Sequence, residues 1–288
     1  MFNLQNNLKT AALLAALIAL FVFAGYAALG PSGMIIGLIL GLAMNGFAFF
    51  FSDTIAIKSM QGREIGPGAG HAAGVDVGRI YRMTERLAQN AGLPMPRVYL
   101  CPHDAPNAFA TGRSPKKAAV AVTRGLAAMS TDAELEGVIA HELAHIKHRD
   151  TLISTIAATI AGVLAFAAQW FFFLGIGRRG GGNPLFAILI IILAAVGAAI
   201  LKAMISRSRE FAADAEGARI AGRTDGLASA LAKLDAMSRR VPLRQPNPAQ
   251  NNLFIVEPLA GGGRSITNLF ASHPPTEQRI AALRRISV

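Results

Sequence analysis

Two uncharged apolar runs constrain this chain more than any other feature. Ala11 to Leu29 holds nineteen residues without a charge, and Met34 to Phe51 eighteen more, with Asn45 the one strongly polar member. About 20 helical residues cross a hydrocarbon core ~30 Å thick, so each run is close to the length of a span. Only Gly30-Pro31-Ser32-Gly33 separates them, which leaves room for a helical hairpin. A cleaved leader fits poorly, because the second run follows at once and no small-residue cleavage site precedes polar sequence. A second apolar pair, Thr151 to Gly175 and Leu185 to Leu201, reads as another hairpin around a glycine-rich loop. Composition agrees: 52% hydrophobic, 16% charged and a mean hydropathy of +0.41 are too apolar for an ordinary soluble domain.

The second hairpin interrupts a region of different character, and that region carries the chemistry. His141, Glu142 and His145 form an H-E-x-x-H motif. Positions four apart share one face of a helix, so both imidazoles can reach a single ion. Glu142 is then placed to act as base on a water held there, the arrangement of a zinc metalloprotease. The local sequence supplies the helix, over about 132–149. Thr131 with Glu134 makes a capping box, Asp132, Glu134 and Glu136 suit the positive end of the dipole, and Val138, Ile139, Leu143 and Ile146 give the apolar rhythm.

A catalytic zinc takes three protein ligands and keeps one position open. Glu210 is the best third candidate, since it opens a helical stretch, 207–221, immediately after the second hairpin. Asp214 lies four residues on, where a carboxylate can accept the spare N–H of a ligating histidine. Elsewhere, 75–90 reads as an amphipathic helix ended by Gly92, 97–100 and 118–122 as short strands, and 225–240 and 276–285 as helices. The expected architecture is a mainly α integral membrane protein, two transmembrane hairpins plus an α+β zincin-like domain with a small β-sheet. The parts are 1–51, the first hairpin; 52–150 and 206–288, the two pieces of the protease domain; and 151–205, the second hairpin.

The formal net charge is +11. With no nucleic-acid module in view, that excess fits a protein that meets a lipid bilayer. Lys9, Lys58, Arg63, Lys147, Arg149, Lys202, Arg207 and Arg209 flank one face, which the positive-inside rule makes cytoplasmic. Arg178 and Arg179 oppose that bias, so full crossing by the second hairpin stays open, as does assembly into a homo-oligomer. The single cysteine, Cys101, excludes an internal disulfide and suits a reducing compartment.

Four stretches then carry a family resemblance: Asn107-Ala-Phe-Ala-Thr-Gly112, His141-Glu-Leu-Ala-His145, Ser206-Arg-Ser-Arg-Glu-Phe-Ala-Ala-Asp214 and Ser272-His-Pro-Pro-Thr-Glu-Gln-Arg-Ile280. The chain resembles the HtpX family of membrane-bound zinc metalloproteases, relatives of the CAAX prenyl endopeptidases. The resemblance implies one zinc on His141, His145 and Glu210 with Glu142 as base. It also implies an edge strand or loop over residues 107–112, where a substrate peptide adds as a strand against Asn107, Ala108, Phe109 and Ala110. His273 becomes a candidate partner for the oxyanion, with Arg279 in support; reversible blocking of the metal is the alternative for His273. The implied setting is a multi-pass protein of the bacterial inner membrane, its catalytic domain facing the cytoplasm, clearing unfolded or damaged membrane proteins under stress. A prenyl-peptide protease and a proteolytically silent scaffold are the rival readings.

Overall fold

The computed structural model describes residues 2–151, 207–238 and 274–288. The second apolar pair, apart from Thr151, and His273 lie outside the described residues. Two long helices come first, α1 (Phe2–Leu29) and α2 (Pro31–Ser59). Pro31 sits at the start of α2, where its missing N–H is no loss, so the turn shrinks to Gly30, which at φ 65 adopts a conformation glycine tolerates. Within α2, Pro31–Phe51 is long and apolar enough to cross a membrane, with a hydropathy of 2.2; α1 carries a shorter apolar stretch, Leu14–Phe23.

The hairpin packs through its smallest residues. Gly33, Gly37, Gly41, Asn45 and Ala48 are buried along one stripe of α2, while Ile35, Ile39, Leu42 and Phe50 face outward. A Cβ on Gly37 would sit 2.2 Å from Phe21 O, and one on Gly25 2.0 Å from Gly33 O. Small residues four apart let helix backbones approach closely where no hydrophobic drive favours their association. Asn45 Nδ2 donates to Leu14 O at 2.8 Å and adds a polar tie.

Past the apolar stretch α2 continues for two more turns, through what reads in sequence as polar connector. The reason is a second apolar surface: Ala56, Ile57 and Met60 bury against Tyr99, Cys101, Phe109, Ala119 and Ala121. These belong to a mixed sheet of order β1-β4-β6-β5, where β1 is Arg63–Ile65, β4 Arg97–Cys101, β5 Ala108–Thr111 and β6 Ala119–Thr123. β4 and β6 are parallel, and β1 and β5 run antiparallel to their neighbours. A small hairpin, β2 (His71–Ala72) with β3 (Val75–Asp76), precedes α3 (Val77–Ala91).

The other sheet face meets the helices. Val98, Leu100, Val120 and Val122 join Ile80, Met83 and Leu87 of α3, Leu126 of α4 (Arg124–Met129), and Leu135, Val138, Ile139 and Leu143 of α5 (Asp132–His148) in one core. The capping box at Thr131 is present as the sequence indicates. Behind α5 lie α6 (Arg207–Ala221), α7 (Asp225–Ser238) and α8 (Thr276–Leu283). Gly217 lets α6 rest on the backbone of α5, since a Cβ there would meet His141 N at 2.9 Å. Glu134 fastens α7 by accepting from Ser229 Oγ and Lys233 Nζ at 2.5 and 2.7 Å.

Candidate active site

The α5 helix turns His141, Glu142 and His145 toward α6 and the sheet edge, and all three are held away from bulk water. His141 is 2% and Glu142 5% exposed. The imidazole rings stand nearly perpendicular, 88° apart, with Nε2 to Nε2 at 3.1 Å. From the first turn of α6, Glu210 brings one carboxylate oxygen to 3.8 Å from His141 Nε2 and the other to 3.6 Å from His145 Nε2. These three donors form a cluster within 4.8 Å that could hold a metal ion.

Both histidines have a carboxylate at the opposite ring nitrogen. Asp214 Oδ1 lies 3.0 Å from His141 Nδ1, and Asp150 Oδ2 is hydrogen-bonded to His145 Nδ1 at 3.3 Å. Carboxylates at Nδ1 favour the tautomer protonated there. The two Nε2 atoms then present lone pairs to one another at 3.1 Å, which repel unless a cation lies between them. Tetrahedral zinc with Zn–N bonds of ~2.05 Å sets two nitrogens ~3.3 Å apart, so the donor set fits that ion in chemistry and in spacing.

Arg279, from α8, is the largest fully buried side chain among the described residues. Its guanidinium donates from Nε and Nη2 to both oxygens of Asp214, at 2.8 and 2.7 Å. Nη1 lies 3.4 Å from Glu210 Oε2, and Nη2 3.4 Å from His141 Nε2. A forked cation on a carboxylate is a strong, directional contact. Burial pushes the Asp214 carboxyl up, but the adjoining Arg279 outweighs it and holds the pKa below the usual range. For Glu142 burial wins: its carboxyl is raised despite the neighbouring imidazoles and an N–H donated by Ala110. A carboxyl poised above its ordinary value suits proton transfer near neutrality.

That Ala110 contact ties base to sheet. Ala110 N–H donates to Glu142 Oε2 at 2.7 Å, so β5, an edge strand, lies along the cleft with Glu142 against its outer side. Asn107, Ala108, Phe109 and Ala110 are buried, and Asn107 fixes the strand's approach by donating its N–H to Thr123 Oγ1 and accepting from Thr123 N–H. What a peptide could use here is backbone rather than side chain.

The geometry therefore joins His141, Glu142, His145, Glu210, Asp214 and Arg279 in one cluster beside residues 107–110; His273 lies outside the described residues. Asp150 and Arg209 join the cluster without having been singled out by sequence. Arg209 Nε lies 3.8 Å from Asp150 Oδ1. The signal that would have found Asp150 is its place two residues past the end of α5. Reading it requires knowing that Arg149 turns the chain back at φ 58, in the left-handed conformation glycine usually takes at such a cap.

Comparison with known proteins adds an independent line. The family model described as Peptidase family M48 matches residues 76–287. A Protease HtpX homolog of Desulfatibacillum aliphaticivorans is 47% identical over 285 residues, covering 96% of this chain and 89% of that protein. Another Protease HtpX homolog, from Pelotomaculum thermopropionicum, is 46% identical over 291 residues, 99% of this chain and 100% of that one. Among solved structures, the crystal structure of S. mikatae Ste24p aligns over 98% of this chain and 66% of that chain, with 19% identity and a TM-score of 0.48.

Proposed function

The chain belongs to peptidase family M48, among its HtpX proteases, and from that premise we propose an endopeptidase that holds one zinc ion through His141, His145 and Glu210 and cleaves unfolded or damaged proteins at a membrane. That it is a zinc metallopeptidase follows from the family and the donor cluster. The observation that carries the assignment of roles is the convergence on one buried corner of three donors, a fourth carboxyl and a strand edge.

Zinc, when bound, supplies a Lewis acid for the scissile carbonyl and for the attacking water. Glu142 takes the proton from that water and passes it to the leaving amine. Ala110 N–H keeps the Glu142 carboxylate aimed for both transfers. The substrate adds as an extended strand along residues 107–110, which sets the scissile carbonyl beside Glu142. Asp214 orients His141, and Arg279 fixes Asp214 and Glu210 together. His273 donates to the oxyanion, with Arg279 as a supporting group.

The apolar Pro31–Phe51 stretch anchors the protease in the bilayer. A multi-pass arrangement in a bacterial inner membrane, with the site on the cytoplasmic side, is supported by the basic residues that flank it. Substrates reach the site from the membrane surface, which favours unfolded membrane proteins.

The test compares detergent-purified wild type, chelated and then given zinc, with Glu142→Gln on casein. Cleavage should appear only with zinc and drop about 10²–10⁴-fold in the variant, while the variant still binds the ion. Equal cleavage by both proteins sinks the assignment. His273→Phe with full activity and full zinc content removes His273 from the mechanism.

A further inference from the structure

The chain turns sharply at the end of α5. Arg149 N–H donates to Ile146 O, and Asp150 N–H to His145 O at 3.0 Å. This left-handed cap folds Asp150 back under the last helical turn, where it is 4% exposed. Its Oδ2 is there hydrogen-bonded to His145 Nδ1 and its Oδ1 faces Arg209, whose side chain is 11% exposed. Thr151 Oγ1 then donates to Gly112 O at 3.0 Å, pinning the next residue to the end of the edge strand.

We infer that Asp150 is a positioning residue for His145 and that Arg209 holds Asp150 in place, an inference that rests on the proposed metal role of His145. The arrangement repeats, from different elements, what Asp214 and Arg279 do for His141: imidazole, carboxylate, guanidinium. Asp150 fixes the Nδ1–H tautomer, so Nε2 points its lone pair at the metal position. Arg209 precedes Glu210 in the chain, so the first turn of α6 supplies a ligand and the clamp for another ligand's carboxylate.

The experiment uses the full chain in detergent, with zinc affinity measured by chelator competition and ligand geometry read from the visible spectrum of the cobalt-substituted protein. Asp150→Ala is expected to weaken zinc roughly 10- to 100-fold and to alter the cobalt bands, at temperatures where the metal-free variant is still fully folded. Asp150→Glu should recover part of the affinity, and Arg209→Gln should give a smaller loss in the same direction. Wild-type zinc affinity and cobalt spectrum in Asp150→Ala overturn the inference. If Asp150→Ala fails to fold, Asp150→Asn decides: a lowered metal-free melting temperature with unchanged zinc affinity means a capping role alone, and overturns it too. His145→Ala is the control for the underlying reading. Should it keep wild-type zinc affinity, the ligand assignment fails, whereas loss there with no effect at Asp150 rejects only the positioning role of Asp150.

Discussion

The N-terminal hairpin and the catalytic half both bring helices together over glycine, and they use the closeness differently. Between α1 and α2, Gly25, Gly33 and Gly37 let backbone lie against backbone, while the outer faces carry exposed Ile35, Ile39 and Leu42. Between α5, α6 and α7, Gly137, Gly217 and Gly226 do the same, since each would place a Cβ within 3 Å of a neighbouring backbone atom. In the hairpin, close contact joins two apolar helices to each other, with Asn45 as a polar tie. In the catalytic half it acts as a ruler: Glu210 and Asp214 reach His145 and His141 because glycine lets α6 stand this close.

Gly217→Val tests that ruler most severely. The added bulk meets the backbone of His141 and is expected to cost about 3 kcal/mol. Zinc affinity should fall along with thermal stability; unchanged affinity at lowered stability would detach α6 spacing from the ligand distances. Gly37→Ala makes the matching insult in the hairpin, at about 1–3 kcal/mol. Its loss should appear in hairpin stability in detergent while zinc affinity holds, and a zinc effect there would erase the contrast.

Glu134 offers a gentler probe of the α5–α7 contact. Burial pushes its carboxyl up, but hydrogen bonds from Lys233, Ser229 and Thr131 more than reverse this and bring the pKa to about 2. The folded value lies below the unfolded ~4.3, so the ionised carboxylate stabilises above about pH 4.3. That contribution drains away as pH falls toward 2. Lys233 is partly exposed, so water screens the pair, and Glu134→Gln should cost about 1 kcal/mol at neutral pH. Melting curves of the two proteins should converge across that acid window; a constant gap down to pH 2 means that the ionised carboxylate is not the source of the stability. The smallest effect belongs to Arg149→Gly, which relieves a left-handed residue and should raise stability by about 0.5–1 kcal/mol. A fall in melting temperature would mean the Arg149 side chain matters more than its backbone.

How much of this is legible in the sequence depends on whether a signal is local. The capping box at Thr131 and the i, i+4 histidines specify α5 over Asp132–His148, one residue short of the expected end. Glu210 and Asp214 are readable because a metal demands a third ligand, and both sit on α6 as the pattern requires. The extension of α2 is hidden because Asp53, Lys58 and Ser59 look like connector, whereas Ala56, Ile57 and Met60 find their partners only on a sheet from later sequence. β5 carries no strand pattern of its own, since Ala108 to Thr111 lacks alternation and is buried throughout; only the family resemblance pointed to an edge strand there, and its pairing to β6 is a tertiary fact. Asp150 is hidden for a third reason. A cap made by arginine rather than glycine carries no sequence mark.

The order of the parts along the chain also sets an order in time. His141 and His145 leave the ribosome first, Glu210 and Asp214 follow a long apolar stretch later, and Arg279 comes almost last. At roughly 5–20 residues per second, the 134 positions from His145 to Arg279 take about 7–27 s to synthesise. Through about the first half of that interval the nascent protein owns two imidazoles without the carboxylate that completes the donor set, and throughout it the guanidinium that locks the set is still missing. Biosynthesis thus delays the finished cutting centre until residue 279 has been added.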